Sequence, residues 1–265
     1  MENFEGVVLS HRPAGERGQF AQILTEDSAL REVYVRGRKN TASSTSAVQQ
    51  FSYAKFSVEQ KGDRLYLNSV EPIRIFYGLR ESLSKLGLAS YFSELARMTA
   101  PTFQSPEENC QVFRLLLNCL HYLEKDLRSE TFLKPVYELR LLAELGFMPD
   151  LTGCGGCGED TPEQLYFSPE QGCFFCMNCG RPAGEPVVLS APSLRAMRYI
   201  TTVDMTRLFQ FRLGKTHLEQ LGVATERMIR YHIAPYCRTL DFYHQVTKSH
   251  LDTPKPSTGG NHGSE

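Results

Sequence analysis

Between residues 1 and 75 the apolar positions fall in short alternating runs: Gly6 to Ser10, Gln19 to Leu24, Leu30 to Val35, Gln50 to Gln60 and Leu65 to Val70. Strand side chains alternate faces every second residue, so these runs predict five short strands. Gly15-Glu16-Arg17-Gly18 suits a loop between the first two, Lys61-Gly62-Asp63 a hairpin turn, and Asn40 to Ala47 a polar Ser/Thr-rich loop. Five strands of this length predict a small barrel of the OB type. SH3-like barrels share the pattern, so strand count alone leaves the topology open.

After Pro72 the period changes. Leu83, Leu86, Tyr91, Leu95 and Met98 recur at helical spacing, and Val112, Phe113, Leu116, Leu117, Leu120 and Leu123 form a clearer stripe. Ser105-Pro106-Glu107-Glu108 reads as a helix start, with the hydroxyl as cap, Pro in the first position and acids at the positive end of the dipole. A third helix has Pro135 in its first turn and stops at Gly146. Ser193 to Ile200, Thr206 to Leu221 and Thr225 to Val246 predict further helices, the last bent or divided at Pro235. The expected fold class is therefore α+β and multidomain. A barrel occupies 1–78, a helical domain 79–248 with a cysteine finger inserted at 150–182, and a disordered polar tail 249–265.

The chain's 265 residues accommodate two cores, and no apolar run approaches the length of a membrane span. Met1-Glu2-Asn3-Phe4-Glu5 lacks the basic start and apolar core of a secretory signal, which predicts a cytoplasmic protein with reduced thiols. A net charge of −1 hides an uneven distribution: residues 195–248 hold nine Lys and Arg against four Asp and Glu. Such an excess can make one surface attractive to phosphates, although a solvated helical surface looks the same in sequence.

The strongest chemical signal is Cys154-x2-Cys157 followed by Cys176-x2-Cys179. Two CxxC pairs at this separation suit a structural Zn2+ held by four thiolates, with Gly155, Gly156, Gly158 and Gly180 letting the backbone turn tightly. Cys173 is a fifth candidate, set aside because Cys176 and Cys179 repeat the spacing of the first pair. Cys110, Cys119 and Cys237 lie on predicted helices and read as core thiols. A tetrahedral ion with four protein ligands keeps no open position for water. No HExxH, GxxxxGK[ST] or GxSxG occurs, and His121, His217, His232 and His244 lack a spaced carboxylate, so no enzymatic activity is expected.

The stretch from Tyr137 through Leu145-Gly146-Phe147-Met148-Pro149 to Cys154-Gly155-Gly156-Cys157-Gly158 resembles the RecO family of bacterial recombination mediators, in which a helix ends at an LGY-x-P motif just before a CxxCG knuckle. Phe167-Ser168 through Cys176 and Cys179 resembles the family's return, with Cys173 where a second glycine is usual. Glu5 to Leu9, Arg12 to Glu16, Val35 to Lys39 and Tyr231 to Asp241 resemble its opening strand, first loop, basic turn and closing helix. Arg17-Gly18 and the weaker charge at Arg36 to Lys39 depart from the family pattern.

What the resemblance implies is a mediator in nucleoid-associated DNA repair that binds single- and double-stranded DNA and anneals complementary strands. With RecR it would help RecA replace the single-strand-binding protein SSB. Strand binding by a barrel needs cations for phosphates and rings for bases, which selects Arg31, Arg36, Arg38, Lys39 and Lys55 with Tyr34 and Tyr53; Phe51 and Phe56 read as barrel core. The SSB C-terminal tail is acidic with an apolar end, and a groove among Met197, Tyr199, Leu208, Phe209 and Phe211 rimmed by Arg198, Arg207, Arg212 and Lys215 is the candidate receptor. The alternative is a zinc-ribbon nucleic-acid adaptor in transcription or RNA processing, which would prefer RNA or a polymerase.

Overall fold

The computed structural model describes residues 1–15, 18–27, 29–36, 48–100 and 106–251, with the backbone alone at 106–110 and 249–251. The expectations for Arg17, Arg38, Lys39, the loop from Asn40 to Ala47, the Ser105 cap, the Cys110 side chain and the tail beyond Leu251 lie outside these residues.

Five strands form the N-terminal barrel: β1 (Glu2–Pro13), β2 (Gly18–Thr25), β3 (Leu30–Arg36), β4 (Ser52–Lys61) and β5 (Arg64–Ile75). They close in the order β1-β2-β3-β5-β4, antiparallel throughout except where β3 meets β5 in parallel at Val33↔Leu65 and Tyr34↔Tyr66. This order is that of an OB barrel, the distinction that strand count could not make. Gly62, at φ 60, makes the left-handed turn that lets Lys61 pair with Arg64. Alternation then fills the barrel with Val8, Ala21, Ile23, Val33, Ala54, Phe56 and Val58.

Val7, Leu9, Leu24, Phe51 and Phe76 join a larger core shared with the helices. Phe51 belongs to no strand. It sits in the left-handed region at φ 66, held by its N–H to the Val8 carbonyl (2.9 Å) and by a ring buried between barrel and helices. Arg74 ties the two parts together. Its guanidinium lies 2.9 Å from Glu124 and 2.7 Å from His121 Nδ1, while the other Glu124 oxygen accepts the Gly78 N–H.

The helical part comprises α1 (Leu83–Thr99), α2 (Pro106–Glu124), α3 (Glu130–Glu144), α4 (Ala191–Thr202), α5 (Lys215–His232) and α6 (Arg238–Leu251). Helix α1 buries Leu88, Tyr91, Phe92 and Leu95, whereas Leu83 and Met98 at its ends are exposed. Helix α3 starts at Glu130, capped by the Ser129 hydroxyl, so Pro135 stands in its second turn; the carbonyl it leaves unpaired belongs to exposed Thr131, within reach of water. The expected helix from Thr206 to Leu221 is a correction. Residues 203–214 form a non-helical strap that packs Phe209 on Tyr122 (4.5 Å) and Phe211 on Phe132 (4.8 Å). Helix α5 then runs unbroken through Gly222 to His232. Pro235 divides it from α6, which continues to Leu251, three residues into the expected tail. Cys237 lies just before α6 rather than within it, and both it and Cys119 are buried.

Four helices meet at a buried charge network. Lys134 of α3 is within 2.9 Å of Glu138 and 2.8 Å of Glu226. Glu138 also accepts the Tyr91 and Thr225 hydroxyls, and Glu226 meets His244 (2.9 Å). His244 thus has a carboxylate partner after all, supplied by a neighbouring helix.

Between α3 and α4 the chain forms a small sheet that alternation had not signalled: β6 (Gln164–Ser168), β7 (Cys173–Cys176) and β8 (Val187–Ser190), ordered β7-β6-β8.

Candidate metal centre and barrel groove

The Sγ atoms of Cys154, Cys157, Cys176 and Cys179 all lie within 4.8 Å of one another, with Cys157 and Cys176 at 3.6 Å. Four sulfurs about 2.3 Å from a shared tetrahedral ion would be about 3.8 Å apart, so the set can hold a thiolate-bound metal ion. The knuckles are built alike. Gly158 N–H bonds to the Cys154 carbonyl (2.8 Å) and Gly180 N–H to that of Cys176 (3.2 Å), and both glycines are left-handed, at φ 79 and 88. A Cβ on Gly156 would come within 2.8 Å of Cys179 Sγ. Burial would raise the Cys154 thiol, yet backbone N–H groups of Cys176, Gly156 and Cys157 bring it down to about 6. Sharing protons with its neighbours pushes Cys179 up to about 12. A divalent cation would let all four sulfurs give up their protons together. Cys173 is half-exposed with its thiol turned to Gln171 (3.7 Å), outside the four-sulfur group.

A second arrangement lies on the outer face of the barrel. Register aligns Arg12 with Phe20, Phe20 with Tyr34, and Tyr34 with Tyr66, one row across β1, β2, β3 and β5. The rings meet edge to face at 5.3 and 5.4 Å. They line a groove of about 440 Å³ with Ala14, Arg36 and Arg64. Gly18 opens this groove: a Cβ there would sit 2.3 Å from the Tyr34 hydroxyl.

Of the candidate DNA contacts, Tyr34 and Arg36 come together in the groove. Arg31 does not, because it points to the other side of β3, over the Phe4 ring and paired with Glu2 and Asp27. Tyr53 and Lys55 form a separate cluster around Glu5. The Tyr53 hydroxyl donates to Glu5, which lies 3.5 Å from Lys55, and the Tyr53 ring packs edge-on against Phe113 of α2. Burial, with the Glu5 carboxylate beside it, raises the Tyr53 phenol well above its ordinary range. Phe20, Tyr66, Arg12 and Arg64 are not among the DNA contacts expected from the sequence; the cross-strand register is the signal that finds them.

The four candidate rim residues are scattered in role. Arg198 donates to the carbonyls of Leu151 (2.7 Å) and Asp160 (2.5 Å), clamping the finger to α4. Arg212 is exposed, Lys215 lies 3.8 Å from Glu219, and the Arg207 carbonyl accepts the Tyr199 hydroxyl. Met197, Leu208 and Phe209 are buried core, so they floor no open groove. Ser190 Oγ lies 2.7 Å from His217 Nδ1, but Ser193 and Gln220 share it, which makes it a joint between β8, α4 and α5.

The chain thus joins an OB-type barrel with a ring-lined groove flanked by Arg36 and Arg64 to a helical domain that carries a four-cysteine finger. The family model described as Recombination protein O N terminal matches residues 1–76, and the one described as Recombination protein O C terminal matches residues 80–241. The chain belongs to the recombination protein O (RecO) family, a family of DNA repair and recombination proteins. It is 31% identical over 232 residues to the DNA repair protein RecO of Alkaliphilus metalliredigens, spanning 86% of this chain and 92% of that one. It is 26% identical to the DNA repair protein RecO of Acetivibrio thermocellus (89% and 94% covered) and 26% identical to that of Bacillus pumilus (91% and 93%).

Proposed function

We propose that this protein is a non-enzymatic recombination mediator of the cytoplasm that binds DNA through the groove on its barrel and anneals complementary strands. With RecR and the SSB tail as partners, it would help RecA replace SSB. The observation that carries this reading is the row Phe20-Tyr34-Tyr66 flanked by Arg36 and Arg64 on an OB barrel. Rings offer stacking faces to unpaired bases of any sequence, and guanidinium groups neutralise phosphates that would otherwise repel an incoming strand. The face formed by strands 2 and 3 is where OB barrels take oligonucleotides.

The metal we assign to the four cysteines is Zn2+, because four thiolates at tetrahedral spacing favour it. Its chemistry there is to draw the four sulfurs together as thiolates and so fix the two knuckles. The test of the function is annealing of SSB-coated complementary strands by the purified protein, compared with a Tyr34→Ala/Arg36→Ala variant. The variant should anneal about five- to hundredfold more slowly, as expected when a stack and a phosphate contact worth roughly 1–3 kcal/mol are lost. Absence of annealing by the wild type, or full annealing by the variant with the fold intact, would refute the reading.

A further inference from the structure

The row that begins at Tyr66 and passes through Tyr34 and Phe20 does not end at a ring. It ends at Arg12, whose guanidinium carbon lies 4.4 Å from the Phe20 centroid. Arg12 is held there by Glu32, two residues before Tyr34 on the same side of β3. Its Nε lies 2.9 Å from one carboxylate oxygen and its Nη2 2.7 Å from the other. This is the two-pronged geometry by which arginine takes a carboxylate or a phosphate. Glu32 therefore occupies the N–H groups that a nucleic-acid phosphate would use, and it keeps the Arg12 plane over the ring that a base would use. The Tyr66 end has a looser counterpart, with Lys61 6.0 Å from the ring and 3.0 Å from Glu59.

We propose that the Arg12–Glu32 pair is an exchangeable lid over the Phe20 end of the groove. It opens when a phosphate of an unpaired DNA strand replaces Glu32 on Arg12. Glu32 thereby sets how tightly the groove binds single strands. The proposal rests on the assignment of the groove as the DNA site.

Three features make the exchange feasible. The Arg12 and Glu32 side chains are 56% and 39% exposed, so their attraction works against water and is weak. A phosphate offers the same bidentate geometry in a polyanion whose bound counterions are released on contact, a gain that a lone carboxylate lacks. Arg12 also need not leave when the lid opens, since a guanidinium plane is itself a surface on which a base can stack. The lid favours unpaired strand because a stacking plane at this end, whether the guanidinium or the ring beneath it, serves only a base whose own face is free; in a duplex the bases are stacked on one another.

The experiment is fluorescence-anisotropy titration of a labelled oligothymidylate, over a series of salt concentrations, with the full-length metal-loaded protein. The variants are Glu32→Gln, Arg12→Gln, the double variant and a charge control, Glu81→Gln, which neutralises an exposed acid outside the groove. Glu32→Gln should tighten single-strand binding by about two- to fivefold, the worth of a surface ion pair. The slope of log K against log salt should stay near the wild-type value, because a phosphate ends on Arg12 in both proteins, whereas Arg12→Gln should flatten it by about 0.7, one fewer released counterion on a single strand. Arg12→Gln should also abolish the tightening, so that the double variant binds no tighter than Arg12→Gln alone, and Glu81→Gln should change little. A tightening that persists in the double variant, or that Glu81→Gln reproduces, would show a general charge effect and overturn the lid, as would unchanged or weaker binding by Glu32→Gln. A Tyr34→Ala control separates the two levels. If it leaves wild-type affinity intact, the groove assignment itself fails; if it weakens binding while Glu32→Gln does nothing, the lid alone fails.

Discussion

Replacing Lys134 with Met removes the cation that bridges Glu138 and Glu226 at the meeting point of α1, α3, α5 and α6. The side chains of Lys134 and Glu138 are 8% and 0% exposed, so water cannot take over the lost contact. Glu226 keeps His244 and Arg230 as partners, at 2.9 and 3.2 Å, and the damage concentrates on Glu138. That carboxylate keeps the hydroxyls of Tyr91 (2.7 Å) and Thr225 (2.6 Å) but loses its cation. Breaking a buried pair from one side costs about 3–5 kcal/mol, and two surviving hydroxyl donors place this case near about 3 kcal/mol. Met fills a volume close to that of the lysine stem, so cavity formation adds little. In a chain of this size such a loss lowers Tm by on the order of 10 °C. The assay is thermal unfolding of the metal-loaded protein followed by far-ultraviolet circular dichroism. The second variant, Lys134→Met/Glu138→Gln, removes the stranded charge and should recover more than half of the loss. A single variant that costs less than about 1 kcal/mol, or a double variant no more stable than the single, would refute the claim that a buried charge interaction holds these helices.

Three further outcomes are expected. Burial would raise the Glu226 carboxyl, but the hydrogen bond from His244 and the Lys134 charge hold it well below its ordinary 4.5. A folded value below the unfolded one gives stability that is complete above 4.5 and is lost as pH falls toward the folded value, so urea midpoints of the wild type should fall more steeply on acidification below 4.5 than those of Glu226→Gln. Cys157→Ser should release the metal and destabilise the finger, since binding energy at structural sites is folding energy on the order of 10 kcal/mol, while Cys173→Ser should retain full metal by elemental analysis. Arg198→Ala should cost roughly 2–3 kcal/mol, the loss of charge-assisted bonds to the Leu151 and Asp160 carbonyls, and should speed hydrogen exchange in the finger before the metal is lost; unaltered exchange there would count against its clamping role.

What could be read from the sequence depended on how far apart cooperating residues lie. The metal knuckles are local, each pair of sulfurs separated by two residues with a turn-forming glycine beside it, and so were visible at once. The barrel strands were visible from alternation, but alternation shows only that Tyr34, Arg36, Tyr53 and Lys55 point outward. It cannot say that one outward face is covered by α2, where Phe113 meets Tyr53, while the other stays open. The groove's remaining residues come from other strands, and their alignment follows from the β1–β2, β2–β3 and parallel β3–β5 pairings, a tertiary fact. The strap over 203–214 was misread for a different reason. Leu208, Phe209, Phe211 and Leu213 imitate a helical stripe but join the core as single anchors, with Phe209 on Tyr122 of α2 and Phe211 on Phe132 of α3 and Tyr199 of α4. Gly222 falls between the two expected helices, yet a Cβ there would meet nothing within 4 Å and α5 passes through it unbroken.

The finger's place in the fold would give a bound metal a mechanical role. A segment this short cannot bury enough apolar surface to fold by itself, and segments of this size commonly need a metal. Its apolar side chains, Leu151, Leu165, Phe167, Phe174 and Leu189, reach instead into the core of the helices. Backbone links add to this: Arg198 of α4 holds Leu151 and Asp160, and His232 at the end of α5 lies 3.1 Å from the Pro169 carbonyl. An ion bound by all four sulfurs would fix the knuckles from which these contacts are presented, and with four ligands it would keep no position open for a reacting molecule. Removing it should therefore loosen α4 and α5 first, because their contacts with the finger depend on the knuckles. The barrel groove should respond only later, since its rings are held by strand pairing among β1, β2, β3 and β5 and, among the described residues, none that lines it belongs to the finger.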